Sequence, residues 1–264
     1  MTRSDLWDQL TGPAEPEEKL WCLFHENSKV TRSFLALPDE VVAARMRELT
    51  EALGYDHYPA TRLPEPSTVD ASLGEVMRDR ASARDFRPAS IGLTELSALL
   101  RHAYAVNRKG DVRSFRTTPS PGGLYPLELY LHSTRVDGLP SGLHHYHPVR
   151  GELRRLHEGD LARDLASCFV QGEIVYDATI LIFLTAWFER VTFKYGDRGY
   201  RFALLEAGHV AQNLNLAAAA LGLGAVNLGG FFDRELDDVL RLDGVTASTL
   251  YAVAIGVPGE ESDE

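Results

Sequence analysis

Apolar and polar positions alternate along this chain in two rhythms, one of about 3.6 residues and one of two, and the changes between them mark its elements. Residues 36–53 (ALPDEVVAARMRELTEAL), 71–79 (ASLGEVMRD) and 93–106 (LTELSALLRHAYAV) read as helices, with Thr94 the expected N-cap of the third. Residues 124–134 (LYPLELYLHST) have strand character, and 142–157 (GLHHYHPVRGELRRLH) read as a hairpin turning at PVRG. A buried strand is expected over 176–188 (YDATILIFLTAWF), and the clearest helix over 201–223 (RFALLEAGHVAQNLNLAAAALGL). At ~1.5 Å per residue that helix spans about 34 Å. GAVNLGGFF follows as a strand ending in glycines, 233–242 as a short helix and 248–257 (STLYAVAIGV) as the last strand. Helices and strands interleave without strict alternation, which predicts the α+β class.

The pattern is weaker at the ends. Residues 54–70 (GYDHYPATRLPEPSTVD) carry three prolines and read as a linker or extended wrap. Residues 1–70 are therefore expected to form a helical and extended appendage to a main domain over 71–264, with the acidic end GEESDE a frayed tail.

Composition narrows the class. With 264 residues, 44% hydrophobic and 25% charged, the chain has the material for a sizeable core. A net charge of −11 argues against nucleic acid as a partner, because phosphate neutralisation needs a surplus of Lys and Arg. The two cysteines, Cys22 and Cys168, have no ligand-like spacing, so neither a disulfide framework nor a metal site is expected. The first twenty residues are charged throughout, and the longest apolar run, ATILIFLTAWF, is too short to span a bilayer. A cytoplasmic, membrane-free protein is expected.

Chemistry concentrates in a few places. In RDRASARDF (78–86), an extended backbone puts Arg80, Ser82 and Arg84 on one face. Two guanidinium forks and a hydroxyl make a receptor for a phosphate dianion; the alternative is a solvated helix end beside Asp79 and Asp85. TTPSPGGLYPLELY (117–130) offers Pro119, Ser120, Gly122 and Gly123, whose backbone can approach a flat heterocycle closely. The alternative is an ordinary turn into a strand. On the long helix Arg201, Glu206, His209, Gln212 and Asn213 fall within an arc of roughly 140° at ~100° per residue. Polar groups on a core helix need partners, a ligand or an interface. GLGAVNLGG is no dinucleotide fingerprint, since it follows a helix and does not open one. His145 and His147 in LHHYHP share a strand face, but no third ligand lies close in sequence and no metal is expected. TFKYGDRGYR (192–201) sets Lys194 and Tyr195 on what reads as a glycine-flanked loop between two core elements.

In order and spacing these pieces resemble the nitroreductase superfamily of flavin enzymes. They are closer to its SagB-type branch, the azoline dehydrogenases of ribosomal peptide biosynthesis. The likeness runs from about Phe24 to Val257 through FHENSK, RASARDF, PSPGGLYPLELY, GLHHYHP, KYGDRGYRFALLEAGHVAQNLNLAAAALGL and LGGFFD. It implies a mixed, mainly antiparallel sheet flanked by helices around a long central helix, in a homodimer with FMN at the subunit interface. It implies that Arg80, Ser82 and Arg84 grip the FMN phosphate and that Pro119, Ser120, Gly122 and Gly123 lie beside the ring. Gln212, Asn213, Gly229 and Gly230 supply further contacts. One departure is that many nitroreductases place a basic residue near the chain end on the phosphate, and STLYAVAIGVPG has none.

The adjacent Lys194-Tyr195 matches a pair carried by the azoline dehydrogenases of this branch. Aromatising a thiazoline or oxazoline removes a proton from one ring carbon and a hydride from its neighbour. A flavin accepts the hydride but supplies no base; a desolvated lysine can act as one, with the tyrosine relaying the proton or holding the ring. The resemblance thus implies an FMN-dependent dehydrogenase acting on an azoline-containing peptide, reoxidised by oxygen and served by a cyclodehydratase within a complex. Two other readings stay open: a general NAD(P)H-dependent nitro or quinone reductase, and a non-catalytic flavin-binding scaffold within a peptide-modifying complex.

Overall fold

The computed structural model describes residues 19–32, 36–49 and 51–259. Most of the acidic end and residues 1–18 of the expected appendage lie outside them. In chain order the elements are α1 (Leu20–Asn27), α2 (Asp39–Glu48), β1 (Ala60–Arg62), α3 (Leu73–Asp79), β2 (Phe86–Arg87), β3 (Ile91–Gly92), α4 (Leu93–Tyr104), β4 (Val106–Arg108), β5 (Phe115–Arg116), β6 (Leu127–Ser133) and β7 (Val136–Asp137). There follow β8 (Gly142–His147), β9 (Glu152–Glu158), α5 (Ala162–Ser167), α6 (Gly172–Asp177), β10 (Ile180–Trp187), α7 (Glu189–Tyr195), α8 (Arg198–Ala220), β11 (Gly224–Leu228), α9 (Asp233–Leu240) and β12 (Ala247–Pro258).

The main sheet runs β1-β9-β8-β6-β10-β12-β11, with β2 added to β12, and every pairing in it is antiparallel. The small β3–β7 pair is parallel. The alternation read from the sequence divides the core into two layers. Ile180, Ile182, Leu184 and Ala186 of β10 face α4 and α8, meeting Leu99, Ala103, Ala207, Val210 and Leu214. Leu181 and Phe183 face the other way, onto α5, α6 and α9 through Leu165, Ile174 and Leu236. The fold is α+β, as the interleaved pattern predicts.

Two local expectations change and one is narrowed. The cap of α4 is Gly92, whose N–H donates to the Glu95 carboxylate at 2.6 Å, and Thr94 lies inside the helix. The segment at 54–70, expected as a linker or extended wrap, contributes β1, which pairs with β9 at the sheet edge. Lys194 and Tyr195 lie not on a loop but in the last turn of α7, which Gly196 closes at φ 52°. Gly196 and Gly199, close after the pair, give it the look of a loop. The residues before it form a full turn because Arg190 and Val191 bury one face of α7.

Candidate functional site

The loop before β6 is held at both ends. Thr117 N donates to Ala105 O at 2.9 Å, and the buried Thr118 hydroxyl donates to Ala103 O at 2.7 Å. Asn213 on α8 donates its side-chain N–H to Thr118 Oγ1 at 3.0 Å. Residues 121–123 then make one tight turn with Gly122 at φ 66° and Gly123 at φ 64°. Tyr125 N donates to Ser120 Oγ at 2.9 Å, which fixes the Ser120 side chain against the loop.

Gly122 is where this loop meets α7. A Cβ there would lie 2.7 Å from Tyr195 Oη and 3.3 Å from Lys194 Nζ. The positive φ and that contact both demand glycine. The Lys194-Tyr195 pair and the glycine loop, separate in sequence, therefore form one cluster. Lys194 Nζ sits 5.3 Å from the Tyr195 ring centre, and Tyr195 packs edge-on against Phe202 at 4.9 Å. Among the described residues Lys194 has no carboxylate partner.

Beneath the loop lies a buried polar layer that the sequence pattern does not reveal. Tyr104 donates to Glu206 Oε1 at 2.5 Å. The Arg116 guanidinium stands 4.3 Å from the Tyr104 ring and 4.9 Å from that of Tyr125. Arg190, four residues before Lys194 on α7, reaches within 2.6 Å of Glu128 Oε1. The other oxygen of Glu128 meets His145 Nε2 at 2.6 Å, and Leu53 N donates to Oε1 at 3.0 Å. His145 is thus committed to a fully buried pair.

The two carboxyls of this layer differ in charge for physical reasons. Burial alone pushes Glu128 up, but Arg190, the His145 hydrogen bond and Arg116 outweigh it and hold the group at about 2. For Glu206 burial wins over the Ser120 and Tyr104 hydroxyls and the more remote Arg116 and Arg190, and its pKa is raised to about 7. Three buried guanidiniums, Arg113, Arg116 and Arg190, share this layer with the Glu128 carboxylate and with the half-buried Glu51, whose charge acts on Arg113.

The second cluster lies beyond the other end of α8. Arg80 ends α3, and Ser82 pairs in parallel with Ala225 of β11, where Ala83 N donates to Ala225 O at 3.1 Å. This close approach needs Gly224, since a Cβ there would come within 2.5 Å of Ala83 Cβ. Ser82 and Arg84 are exposed and Arg80 half-buried. None of the three has a side-chain hydrogen bond or ion pair among the described residues. Gly229 and Gly230 are exposed just past β11, about 13 Å from Ala225 at ~3.3 Å per strand residue. Gln212 is exposed on the outer face of α8, while Asn213 is bound to Thr118.

The sequence-read residues therefore separate into two groups, Ser120, Gly122, Gly123, Asn213, Lys194 and Tyr195 in one, and Arg80, Ser82, Arg84, Gly229 and Gly230 along β11 in the other. Glu206 belonged to the polar stripe and could have been singled out from it. Tyr104, Arg116, Glu128 and Arg190 carry no local signal, because each is defined by a partner far along the chain.

Known proteins share this sequence and fold. The model of the nitroreductase family matches residues 77–257. The chain is 37% identical over 177 residues to the putative nitroreductase MJ1384 of Methanocaldococcus jannaschii, covering 67% of this chain and 88% of that protein. It is 30% identical over 173 residues to the microcin B17-processing protein McbC of Escherichia coli, covering 63% of this chain and 62% of McbC. The aligned part thus spans less than two thirds of McbC. In three dimensions it resembles a chain of the E. coli microcin synthetase McbBCD complex with truncated pro-MccB17 bound, at a TM-score of 0.60 and 25% identity, covering 95% of this chain and 96% of that chain.

Proposed function

Since this chain belongs to the nitroreductase family, we propose that it is an FMN-dependent dehydrogenase that oxidises thiazoline or oxazoline rings in a peptide to thiazoles or oxazoles. The observation that carries the reading is the convergence of Lys194 Nζ and Tyr195 Oη on Gly122 of the loop that bears Ser120. The resemblance to a protein named for processing microcin B17 supports a peptide as substrate.

The residues present suit the cofactor. Arg80, Ser82 and Arg84 offer two guanidiniums and a hydroxyl that no side chain of this fold engages, a set suited to a phosphate dianion. Gly229 and Gly230, with no side chains to obstruct a flat ring, lie along the same strand at a distance fitting the length of a flavin nucleotide. When bound, FMN supplies the acceptor for the hydride that the azoline ring loses. Lys194 takes the proton from the neighbouring ring carbon, so that two hydrogens leave and the ring bond between the two carbons becomes double. Tyr195, braced by Phe202, holds the heterocycle against the loop.

A second copy belongs to this proposal. Lys194 and Tyr195 precede α8, and the Arg80–Arg84 run abuts the strand that follows it, so the pair and the run lie toward opposite ends of that 23-residue helix. A two-fold pair brings the grip of one copy toward the loop of the other. The outer face of α8, with Leu204 42% and Leu205 57% exposed, is a surface such a pair would cover. A cyclodehydratase partner, suggested by the McbBCD likeness, would deliver the azoline peptide.

The relative MJ1384, named a putative nitroreductase, favours a second reading: a general NAD(P)H-dependent reductase of nitro compounds or quinones. One experiment separates the two. The purified protein is scanned for flavin absorption, incubated with an azoline-bearing peptide, and the product weighed by mass spectrometry. Loss of two hydrogens per ring is expected. Lys194→Ala is expected to keep the flavin and to slow ring oxidation by about 10²–10⁴-fold. A yellow protein that leaves azolines intact and reduces nitroaromatics with NAD(P)H, undisturbed by Lys194→Ala, would establish the second reading.

A further inference from the structure

Glu206 is a buried ionisable group to which the mechanism above gives no part. It is completely shielded on α8, and the Tyr104 hydroxyl donates to its Oε1 at 2.5 Å. Oε2 is buried with no well-formed hydrogen bond, although the Ser120 hydroxyl on the loop above faces the same carboxyl. Ser120 Oγ already accepts the Tyr125 N–H. Its own proton is left to go to Glu206 below or to a heterocycle above.

We propose that Glu206 is the positioning residue for Ser120, and that the proton on Glu206 decides where the serine hydroxyl points. A neutral carboxyl donates from Oε2 to Ser120 Oγ and leaves the serine O–H free for a bound ring. A carboxylate takes that O–H for itself and withdraws it from the ring. The inference rests on the flavin reading above, since the ring in question is the flavin or the heterocycle beside it.

The groups facing Glu206 are Tyr104 from α4, Arg116 from β5, Arg190 from α7 and Ser120 from the loop. The two guanidiniums favour the carboxylate, yet burial outweighs them and places the titration near neutrality, at about 7. The arrangement therefore switches within the range in which an enzyme works, and rising pH weakens the hold on the ring.

The test is the FMN dissociation constant, measured by quenching of flavin fluorescence at intervals from pH 6 to 8.5, with the visible band of the bound flavin recorded alongside. Wild type, Glu206→Gln, Ser120→Ala and the double variant are compared. The FMN phosphate titrates in part of this range but does so for all four proteins, so only differences between them count. Wild-type affinity is expected to fall about tenfold more than that of Glu206→Gln, the worth of one hydrogen bond. Ser120→Ala is expected to lack the extra step, and Glu206→Gln to add nothing in the Ser120→Ala background. Matching pH profiles for wild type and Glu206→Gln overturn the proposal. So does a wild-type step retained in Ser120→Ala, a loop variant that leaves the core intact. Wild-type protein that binds no FMN at any pH overturns the flavin reading itself, and this inference with it.

Discussion

Arg84 illustrates how far a single residue can be read. Its spacing from Arg80 and Ser82 was visible because an extended run repeats every two residues, and no tertiary knowledge is needed for that. The structure adds that its guanidinium is exposed and has no partner among the described residues. Arg84→Ala is therefore expected to weaken FMN binding by about tenfold or more while leaving the melting temperature within a degree or so. Equilibrium dialysis with FMN and a thermal melt check both halves; a variant that purifies fully loaded removes Arg84 from the phosphate grip. Glu206 shows the opposite case. Its place on the polar stripe of α8 was legible, but its partners Tyr104 and Ser120 stand about 100 and 86 positions away, and no local rhythm encodes such a meeting.

At the level of elements, the decisive event is the docking of α7 on the loop before β6. Each is recognisable alone, the loop by PSPGG and the pair by its neighbouring glycines, but the pair, loop-like in sequence, is a helix end in the fold. The turn is held by long-range contacts: Arg190 reaches Glu128 on β6, and the backbone of α7 at Thr192 passes close to Gly199 of α8. Gly122→Ala tests this docking. The added methyl meets Tyr195 Oη at 2.7 Å and must adopt φ 66°. A loss of about 1–3 kcal/mol in stability is expected, together with a larger loss of ring oxidation than of FMN affinity. Denaturant melts, FMN titration and the azoline assay measure the three. Unchanged ring oxidation in this variant would show that the Tyr195 contact with the loop is dispensable.

At the scale of the whole molecule, the sheet buries histidines in neutral form. His132 accepts the Leu161 N–H at 2.9 Å, and His144 lies fully buried on β8. Burial lowers each from 6.5 to about 4. Both therefore stay neutral in the fold at pH values where the unfolded chain takes up protons. Stability from these groups is full above about pH 6.5 and is lost as pH falls toward 4, by about 3 kcal/mol each. Glu206, raised to about 7, gains stability over the same fall in pH and offsets part of this loss. Urea denaturation between pH 7 and pH 4 is therefore compared between proteins, and His144→Gln is expected to lose about 3 kcal/mol less than wild type over that range. Equal losses in the two proteins would mean that His144 is not buried in neutral form. The Glu128 carboxyl is held at about 2, so its stabilisation is present above about pH 4.5 and is lost as pH falls from there toward 2.

By itself the sequence determined the α+β class, the long helix, the hairpin turning at residues 148–151, and the grouping of Arg80, Ser82 and Arg84 in one short run. Each of these is written in the spacing of neighbouring residues, where helical and strand periods and turn chemistry act. Only the tertiary structure decided what meets what: Lys194 and Tyr195 over Gly122, Glu206 under Ser120, the Glu128–Arg190–His145 layer, and Arg87 set opposite Val257 on a last strand that carries no basic residue of its own. The physical reason is that charge, burial and close approach depend on separation in space. Sheet pairing and helix docking bring together residues up to about a hundred positions apart, and a pattern read along one dimension holds no record of those contacts.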